Sequence, residues 1–322
     1  MSNTEAAPAE VECRGGAPAS GGVEVLTARD VPLGGPRAML VRRTLPQRQR
    51  SLVGAWCFAD HYGPDDVAVS GGMDVAPHPH TGLQTVSWLF TGEVEHRDSL
   101  GMRALVRPGE LNLMTSGHGI CHSEVSTPGT AILHGVQLWV ALPDADRNGA
   151  RDFQHYAPPA ADLGDATARV FLGTLGGLAS PVPTFSPLLG AEIVLAAHAR
   201  LSLPVDPAYE HGVLVDAGPV SLSGTTVQRA ELGYLPPGAA TVELANLTGD
   251  QARVLLLGGT PFEEDIIMWW NFVGRSHEEI ASFRAAWEGE SDQFGRVSGY
   301  AGTPQRLPAP PLPTVRLKPR SR

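Results

Sequence analysis

The sequence has almost no lysine, and its body contains no long basic run. Lys318 is the one lysine among 24 basic residues, which face 34 acidic residues, so the formal net charge is −10. A chain of this charge has few groups with which to neutralise phosphates. We therefore do not expect direct binding to nucleic acid.

Cysteine and long apolar segments are also scarce. Cys13, Cys57 and Cys121 are widely spaced and include no C-x-x-C pair, which argues against a disulfide framework and against a thiolate zinc site. A reducing cytoplasm is the expected location. Residues 1–22 lack the basic start and apolar core of a secretory signal, and no stretch approaches the ~18 to 20 apolar residues of a membrane helix. No membrane association is expected.

Glycine and proline are abundant, with 37 and 28 residues respectively. Short apolar runs end at glycine, proline or aspartate, a spacing typical of all-β proteins. The runs are residues 38–42, 85–90, 104–107, 111–115 and 132–140, followed by 168–173, 193–197, 212–216, 242–245 and 253–257. An all-β fold with few helices is predicted.

The ends and the middle of the chain differ from these runs. Residues 1–22 and the proline-rich residues 303–322 indicate unpacked tails, so deletion of the second is predicted to leave folding and metal content unchanged. The polar stretch 144–159 indicates a linker. One helix is predicted after Ser276, where Glu279 completes a capping box, and its apolar stripe contains Ile280, Phe283 and Trp287.

The two halves of the sequence resemble each other. Residues 86–94 and the later RPG at 107–109 share a strand, glycine turn, strand and Pro-Gly order with residues 212–220 and the later PPG at 236–238. Such a recurrence indicates a duplicated barrel. In the second copy the nearby candidates are Glu210 and His211, whose side chains would point to opposite faces of a strand. They are interpreted as solvated or structural.

Two short pairs in the first half predict a metal site. His78 and His80 are two residues apart, as are His122 and Glu124, so each pair can present both side chains to one face of a strand. Three imidazoles and one carboxylate suit a divalent first-row metal, and residue type alone leaves iron, manganese, nickel, copper and zinc open.

Longer motifs resemble the pirin family, a group of bicupin proteins within the cupin superfamily. The similarity covers roughly residues 24–300. It rests on DHYGP at 60–64, PHPHTGLQTV at 77–86, GEVEHRDSLG at 92–101, RPG at 107–109, MTSGHGICHSE at 114–124 and MWWNFVG at 268–274.

The resemblance implies two stacked cupin β-barrels. The N-terminal barrel, residues 23–146, would bind one iron as Fe(II) through His78, His80, His122 and Glu124, and residues 147–302 would form a metal-free barrel with the helix. Two positions depart from the family pattern: Gln84 stands where many pirins have glutamate, and His118 where arginine is common. Both departures concern the surroundings of the metal and the identity of the substrate.

Two functions are compatible with this resemblance. The first is an iron-dependent dioxygenase of the quercetin 2,3-dioxygenase type, which acts on a flavonol-like aromatic substrate and O₂, with Glu124 as metal ligand or as the catalytic base. His118 and His61 are the next candidates for the base. The alternative is a regulator without enzymatic activity, in which the redox state of iron alters a surface that binds a protein partner.

Cys121 is expected to face away from the metal as a small buried side chain, and Trp269 and Trp270 are expected in the core.

Overall fold

The computed structural model describes residues 22–33 and 39–319, and over these residues the chain is mostly β-strand. The first half contains β1 Glu24–Leu26, β2 Arg29–Leu33, β3 Met39–Leu45, β4 Trp56–Asp66, α1 Val67–Ser70, β5 Asp74–His80, β6 Leu83–Thr91, β7 Val94–Asp98, β8 Arg103–Val106, β9 Leu111–Thr115, β10 Ile120–Ser126, β11 Ile132–Ala141 and β12 Asp152–Tyr156. The second half contains β13 Ala161–Asp162, β14 Ala166–Leu172, β15 Thr174–Leu175, β16 Leu178–Ala179, β17 Leu188–Leu195, β18 Arg200–Pro204, β19 Glu210–Ala217, β20 Val220–Leu222, β21 Thr225–Val227, β22 Leu232–Leu235, β23 Thr241–Asn246, β24 Ala252–Gly259, β25 Ile267–Trp269, β26 Phe272–Gly274 and α2 His277–Glu288. All ten apolar runs overlap strands, which confirms the all-β prediction.

Each half forms a barrel from one seven-stranded and one four-stranded sheet. In the N-terminal barrel the sheet orders are β12-β9-β6-β11-β4-β3-β2 and β5-β10-β7-β8. In the C-terminal barrel they are β1-β22-β19-β24-β17-β14-β13 and β18-β23-β20-β21. The duplication inferred from the sequence is therefore present, and the fold is a bicupin.

The two barrels pack through a shared apolar core that joins residues of both seven-stranded sheets. Phe58 and Leu138 of the first barrel belong to the same buried cluster as Leu214 and Leu257 of the second. The indole N–H of Trp56 lies 3.1 Å from the carbonyl oxygen of Leu189 and 3.2 Å from that of Gly258. Burial of these apolar side chains stabilises the packing of the two barrels by about 25 cal/mol for each Å² of apolar surface removed from water.

The strand pairing departs from the predicted domain boundaries at β1 and at β12. β1 pairs with β22 in the C-terminal barrel, although the sequence places it at the start of the N-terminal one. β12 lies inside the predicted linker 144–159, yet it pairs with β9 and completes an N-terminal sheet. Local hydrophobic periodicity cannot predict these two pairings, because they depend on the register between strands that are distant in the sequence.

The helix forms as predicted but packs on the other barrel. The Ser276 hydroxyl accepts from the Glu279 N–H at 3.2 Å, which caps the helix, and Ile280 and Trp287 are buried. Both belong to an apolar cluster with Val75 and Leu89 of the N-terminal barrel. α2 therefore follows the second barrel in the sequence but packs against the first, because β25 and β26 return the chain to the first barrel before the helix begins.

The prediction that the C-terminal end is unpacked was wrong. Residues 303–319, the C-terminal strap, lie along α2 and bury Leu307, Ala309 and Leu317. The Trp287 indole N–H donates to the Leu307 carbonyl oxygen at 2.8 Å, and the Leu307 N–H donates to the Pro77 carbonyl oxygen at 2.8 Å. Prolines exclude regular ladders but do not prevent such contacts. The predicted N-terminal tail lies outside the described residues, apart from Gly22.

Deletion of residues 303–322 is accordingly expected to destabilise the protein. Loss of two buried leucines, offset in part by the chain entropy regained, should cost about 2 kcal/mol. That cost corresponds to a fall in melting temperature of ~4 to 8 °C at ~2 to 4 °C per kcal/mol. Differential scanning fluorimetry of the truncated protein would measure it, with deletion of residues 320–322 as the control. An unchanged melting temperature would show that the strap contributes nothing.

Candidate metal centre

Three neighbouring strands of the four-stranded sheet in the N-terminal barrel carry polar side chains on one face. On β10, His122 lies opposite His78 of β5 on one side and opposite Asp98 of β7 on the other. Glu124 lies opposite His96 of β7. Because side chains two residues apart share a face, this register gathers the two predicted pairs and adds a third pair, His96 and Asp98.

The structure brings the three predicted histidine ligands together. His78, His80 and His122 are fully buried, and one ring nitrogen from each lies within 4.8 Å of the others. The Nε2 atoms of His80 and His122 are 3.1 Å apart. The ring centroid of His78 is 4.4 Å from that of His122 and 5.0 Å from that of His80.

Main-chain carbonyls fix the orientation of two of these rings. His78 Nδ1 is 2.9 Å from the Ala76 carbonyl oxygen, and His80 Nδ1 is 3.2 Å from that of Asn271. A carbonyl oxygen can only accept, so each Nδ1 carries the proton and each Nε2 keeps its lone pair. His78 Nε2 has no hydrogen-bond partner among the described residues. A bound cation would satisfy these buried acceptors, so the donor set fits a metal.

Burial also keeps the imidazoles neutral. It lowers the pKa of His78 to about 3 and the pKa values of His80 and His122 well below the usual range. Only the neutral ring has a lone pair for a metal. At neutral pH the three ligands would therefore bind a metal without first losing a proton.

Glu124 lies beside this cluster and joins it through His122. Its carboxylate, a nitrogen of His96 and a nitrogen of His122 lie within 4.8 Å of one another, and all three residues are buried. The Ser87 hydroxyl is 3.2 Å from Glu124 Oε1 and 2.9 Å from Gln137 Oε1. One hydroxyl proton can serve only one of these acceptors at a time. Glu124 as the fourth ligand remains a prediction.

The two departures from the family pattern do not join the cluster. Gln84 is buried and donates from its amide nitrogen to the Thr115 hydroxyl at 2.8 Å. His118 is exposed in the turn before β10, and its carbonyl oxygen accepts from Gln293. Neither residue belongs to the groups of potential ligands among the described residues.

His61 belongs to a different buried cluster that links the two barrels. His61 Nε2 lies 2.6 Å from Asp216 Oδ1, and the Arg42 Nε–H donates to His61 Nδ1 at 3.2 Å. Since Arg42 occupies the Nδ1 lone pair, the neutral ring carries its proton on Nε2, facing Asp216. His134 Nε2 also lies 2.6 Å from Asp216 Oδ1, and Arg253 lies 3.0 Å from Asp216 Oδ2. These contacts form an inter-barrel network of buried polar side chains centred on Asp216.

Several structural expectations are met. Cys121 is buried with its sulfur 3.5 Å from the Gly295 carbonyl oxygen, and burial raises the pKa of the thiol to about 11. Trp269 and Trp270 are in the core. Glu210 is structural but not solvated, because it accepts from the Gly54 N–H at 2.6 Å and the Tyr234 hydroxyl at 3.0 Å. His211 is likewise buried and not solvated.

His96 and Asp98 were missed by the analysis of the sequence. Their signal was available, because His-Arg-Asp has the same two-residue spacing as the two recognised pairs. What the spacing does not show is that β7 lies directly beside β10.

Comparison with known proteins decides the family. Residues 38–140 match the family model described as Pirin, and residues 190–293 match the one described as Pirin C-terminal cupin domain. The chain belongs to the pirin family. Among the described residues of this pirin, no helix is both long and apolar enough to cross a membrane.

Relatives of this pirin share most of its length. It is 45% identical over 289 residues to the Pseudomonas aeruginosa protein named "Putative quercetin 2,3-dioxygenase PA1205", with 89% of this chain and 90% of that protein covered. It is 36% identical to a pirin-like protein of Caulobacter vibrioides, over 77% of this chain and 88% of that one. A crystal structure titled quercetin 2,3-dioxygenase from Acinetobacter baumannii is 36% identical, with a TM-score of 0.86 over 92% of this chain and 97% of that one.

Proposed function

We propose that this pirin is a metal-dependent oxidoreductase that oxidises a flavonol-like aromatic substrate with O₂. The observation that carries the proposal is the convergence of three buried imidazoles, of which one ring nitrogen each lies within 4.8 Å of the others. Two printed names support the choice of reaction: "Putative quercetin 2,3-dioxygenase PA1205" for the Pseudomonas aeruginosa relative and quercetin 2,3-dioxygenase for the Acinetobacter baumannii structure.

The proposed site holds one Fe(II) through His78, His80, His122 and Glu124. Three nitrogen ligands and one oxygen ligand suit a first-row divalent metal and leave coordination positions for other molecules. When bound, the iron would supply Lewis acidity toward the substrate oxygens and a route for electrons toward dioxygen. The described residues hold one such three-histidine group, so one metal per chain is expected.

Glu124 is the proposed catalytic base. Its buried carboxylate lies beside His122, where it can accept the proton of a substrate hydroxyl. The Ser87 hydroxyl lies within hydrogen-bond distance of Glu124 Oε1 and of Gln137 Oε1, which places a polar partner on the carboxylate. The role requires that the carboxylate loosen from the metal when substrate binds.

The decisive experiment combines metal analysis with oxygen uptake. Protein from iron-supplemented expression should contain one iron per chain and consume O₂ with quercetin faster than the metal-free protein does. Flavonols also oxidise slowly without enzyme, so the iron-loaded and metal-free proteins are assayed at the same pH. If iron-loaded protein consumes no O₂ above the metal-free control with quercetin or related flavonols, the enzymatic proposal fails. Affinity capture with ferrous and ferric protein would then test the regulator alternative.

A further inference from the structure

One of the three histidines is held differently from the other two. The Nδ1–H groups of His78 and His80 point at main-chain carbonyls, whereas His122 Nδ1 lies 3.3 Å from another imidazole nitrogen, Nδ1 of His96. His96 Nε2 in turn lies 3.2 Å from Asp98 Oδ2. The result is a chain of three buried side chains that leads from a carboxylate to the metal centre.

The carboxylate at the end of this chain is locked in place. Asp98 Oδ1 accepts from the Leu100 N–H at 2.8 Å and from the Met102 N–H at 3.1 Å. Those bonds to the β7–β8 turn leave Oδ2 for His96. Asp98 and His96 are 1% and 3% exposed, so water does not compete freely for either group. Phe153 lies across the His96 ring, with the centroids 4.8 Å apart.

With His96 as a neutral imidazole, the hydrogen bonds in the chain run in one direction. An ionised carboxylate accepts and cannot donate, so the His96 proton lies on Nε2. His96 Nδ1 is then an acceptor, which requires His122 to carry its proton on Nδ1. His122 Nε2 therefore presents its lone pair toward His80 and the proposed metal position.

We propose that Asp98 and His96 are positioning residues that fix the tautomer of His122 and raise the basicity of its Nε2 toward the metal. A histidine backed by a carboxylate through hydrogen bonds is a stronger ligand than one backed by a neutral carbonyl. The inference rests on the proposed metal centre but not on the proposed reaction. Metal affinity tests it independently of turnover.

Asp98→Asn reverses the chain with little change in shape. The asparagine side-chain oxygen has to face Leu100 N–H and Met102 N–H, because its NH₂ group is a donor and cannot accept from them. The side-chain nitrogen therefore faces His96. His96 Nε2 must then accept, His96 Nδ1–H faces His122, and the His122 proton moves to Nε2. We expect metal affinity to fall ~10- to 100-fold, the usual cost of losing a partner behind a ligand.

Two substitutions at His96 separate orientation from packing. In His96→Gln the amide oxygen can accept from His122 Nδ1–H while the amide nitrogen donates to Asp98, so affinity should stay within about 10-fold of wild type. His96→Leu offers no acceptor and should resemble Asp98→Asn. Asp216→Asn is the matched control, since Asp216 is also a buried aspartate that contacts histidine, but in the inter-barrel network.

The measurement is Co(II) affinity by competition with a chromophoric chelator, with the visible spectrum of the bound Co(II) as a second readout. Melting temperatures of the metal-free proteins verify folding. The proposal predicts weak binding and an altered spectrum for Asp98→Asn and His96→Leu, with near-normal behaviour for His96→Gln and Asp216→Asn. It is overturned if folded Asp98→Asn binds Co(II) like wild type, if His96→Gln is as weak as His96→Leu, or if Asp216→Asn is equally impaired. Failure of oxygen uptake alone would leave these results unaffected.

Discussion

His78→Leu should abolish stoichiometric metal binding and leave the metal-free protein about as stable as wild type. The ligand contributes a bond and part of the site geometry, so the loss of affinity should exceed the ~10- to 100-fold cost of losing an outer partner. In the metal-free protein the substitution removes a buried Nε2 that has no partner among the described residues, along with one hydrogen bond to Ala76. These effects oppose each other, so the free energy of unfolding should change by no more than about 1 kcal/mol in either direction.

Equivalent losses are expected for His80 and His122, and inductively coupled plasma mass spectrometry of purified variants would measure them. His155→Leu is the control, because His155 is 44% exposed and lies away from the cluster. Full iron retention in all three ligand variants would remove the assignment. A large fall in the stability of metal-free His78→Leu would indicate instead that this histidine is structural.

Glu124→Gln should separate metal binding from turnover. An amide oxygen can still coordinate weakly, so much of the iron should remain, but an amide cannot accept the substrate proton. Loss of a general base costs ~10²- to 10⁴-fold in rate. The expected result is therefore a protein that retains iron and consumes O₂ with quercetin at least ~100-fold more slowly.

Glu210→Gln provides a matched control for that experiment. Glu210 is a buried carboxylate of the second barrel that accepts from Gly54 and Tyr234, so its substitution should leave turnover per bound iron unchanged. Wild-type turnover in Glu124→Gln would place the base elsewhere. Complete loss of iron in Glu124→Gln would instead identify Glu124 as a ligand without a separable role as base.

Local patterns in the sequence predicted what depends on local geometry. Alternation along a strand is enough to put His78 beside His80 on one face, and a capping box is enough to start α2 at Ser276. The residue types of the two pairs predicted one shared metal site, and the resemblance to pirins implied the same four ligands. The structure adds the register that makes the pairing concrete, with His122 opposite His78.

Features that depend on strand register or on contacts between residues distant in the sequence could not be predicted from local patterns. Nothing near β12 shows that it pairs with β9, because Thr115 and its partner Asp152 lie 37 positions apart and the intervening β10 and β11 pair with other strands. The strap was misinterpreted because its composition resembles that of an unpacked tail, whereas its docking depends on contacts with residues distant in the sequence, such as Pro77 and Trp287. His96 and Asp98 had the right spacing, but their role depends on which strand lies next to β10.

The exchange of strands between the barrels affects how the protein can fold. β1 must reach the second barrel, and β25, β26 and α2 must return to the first, so the apolar cluster of the first barrel is complete only when nearly the whole chain has been synthesised. Contacts this distant in sequence slow folding and join the two halves into one cooperative unit. A half expressed alone would expose unpaired strand edges, which favour aggregation. The barrel without the three-histidine centre therefore contributes to the metal-binding barrel through their shared apolar core, and its loss would expose that surface.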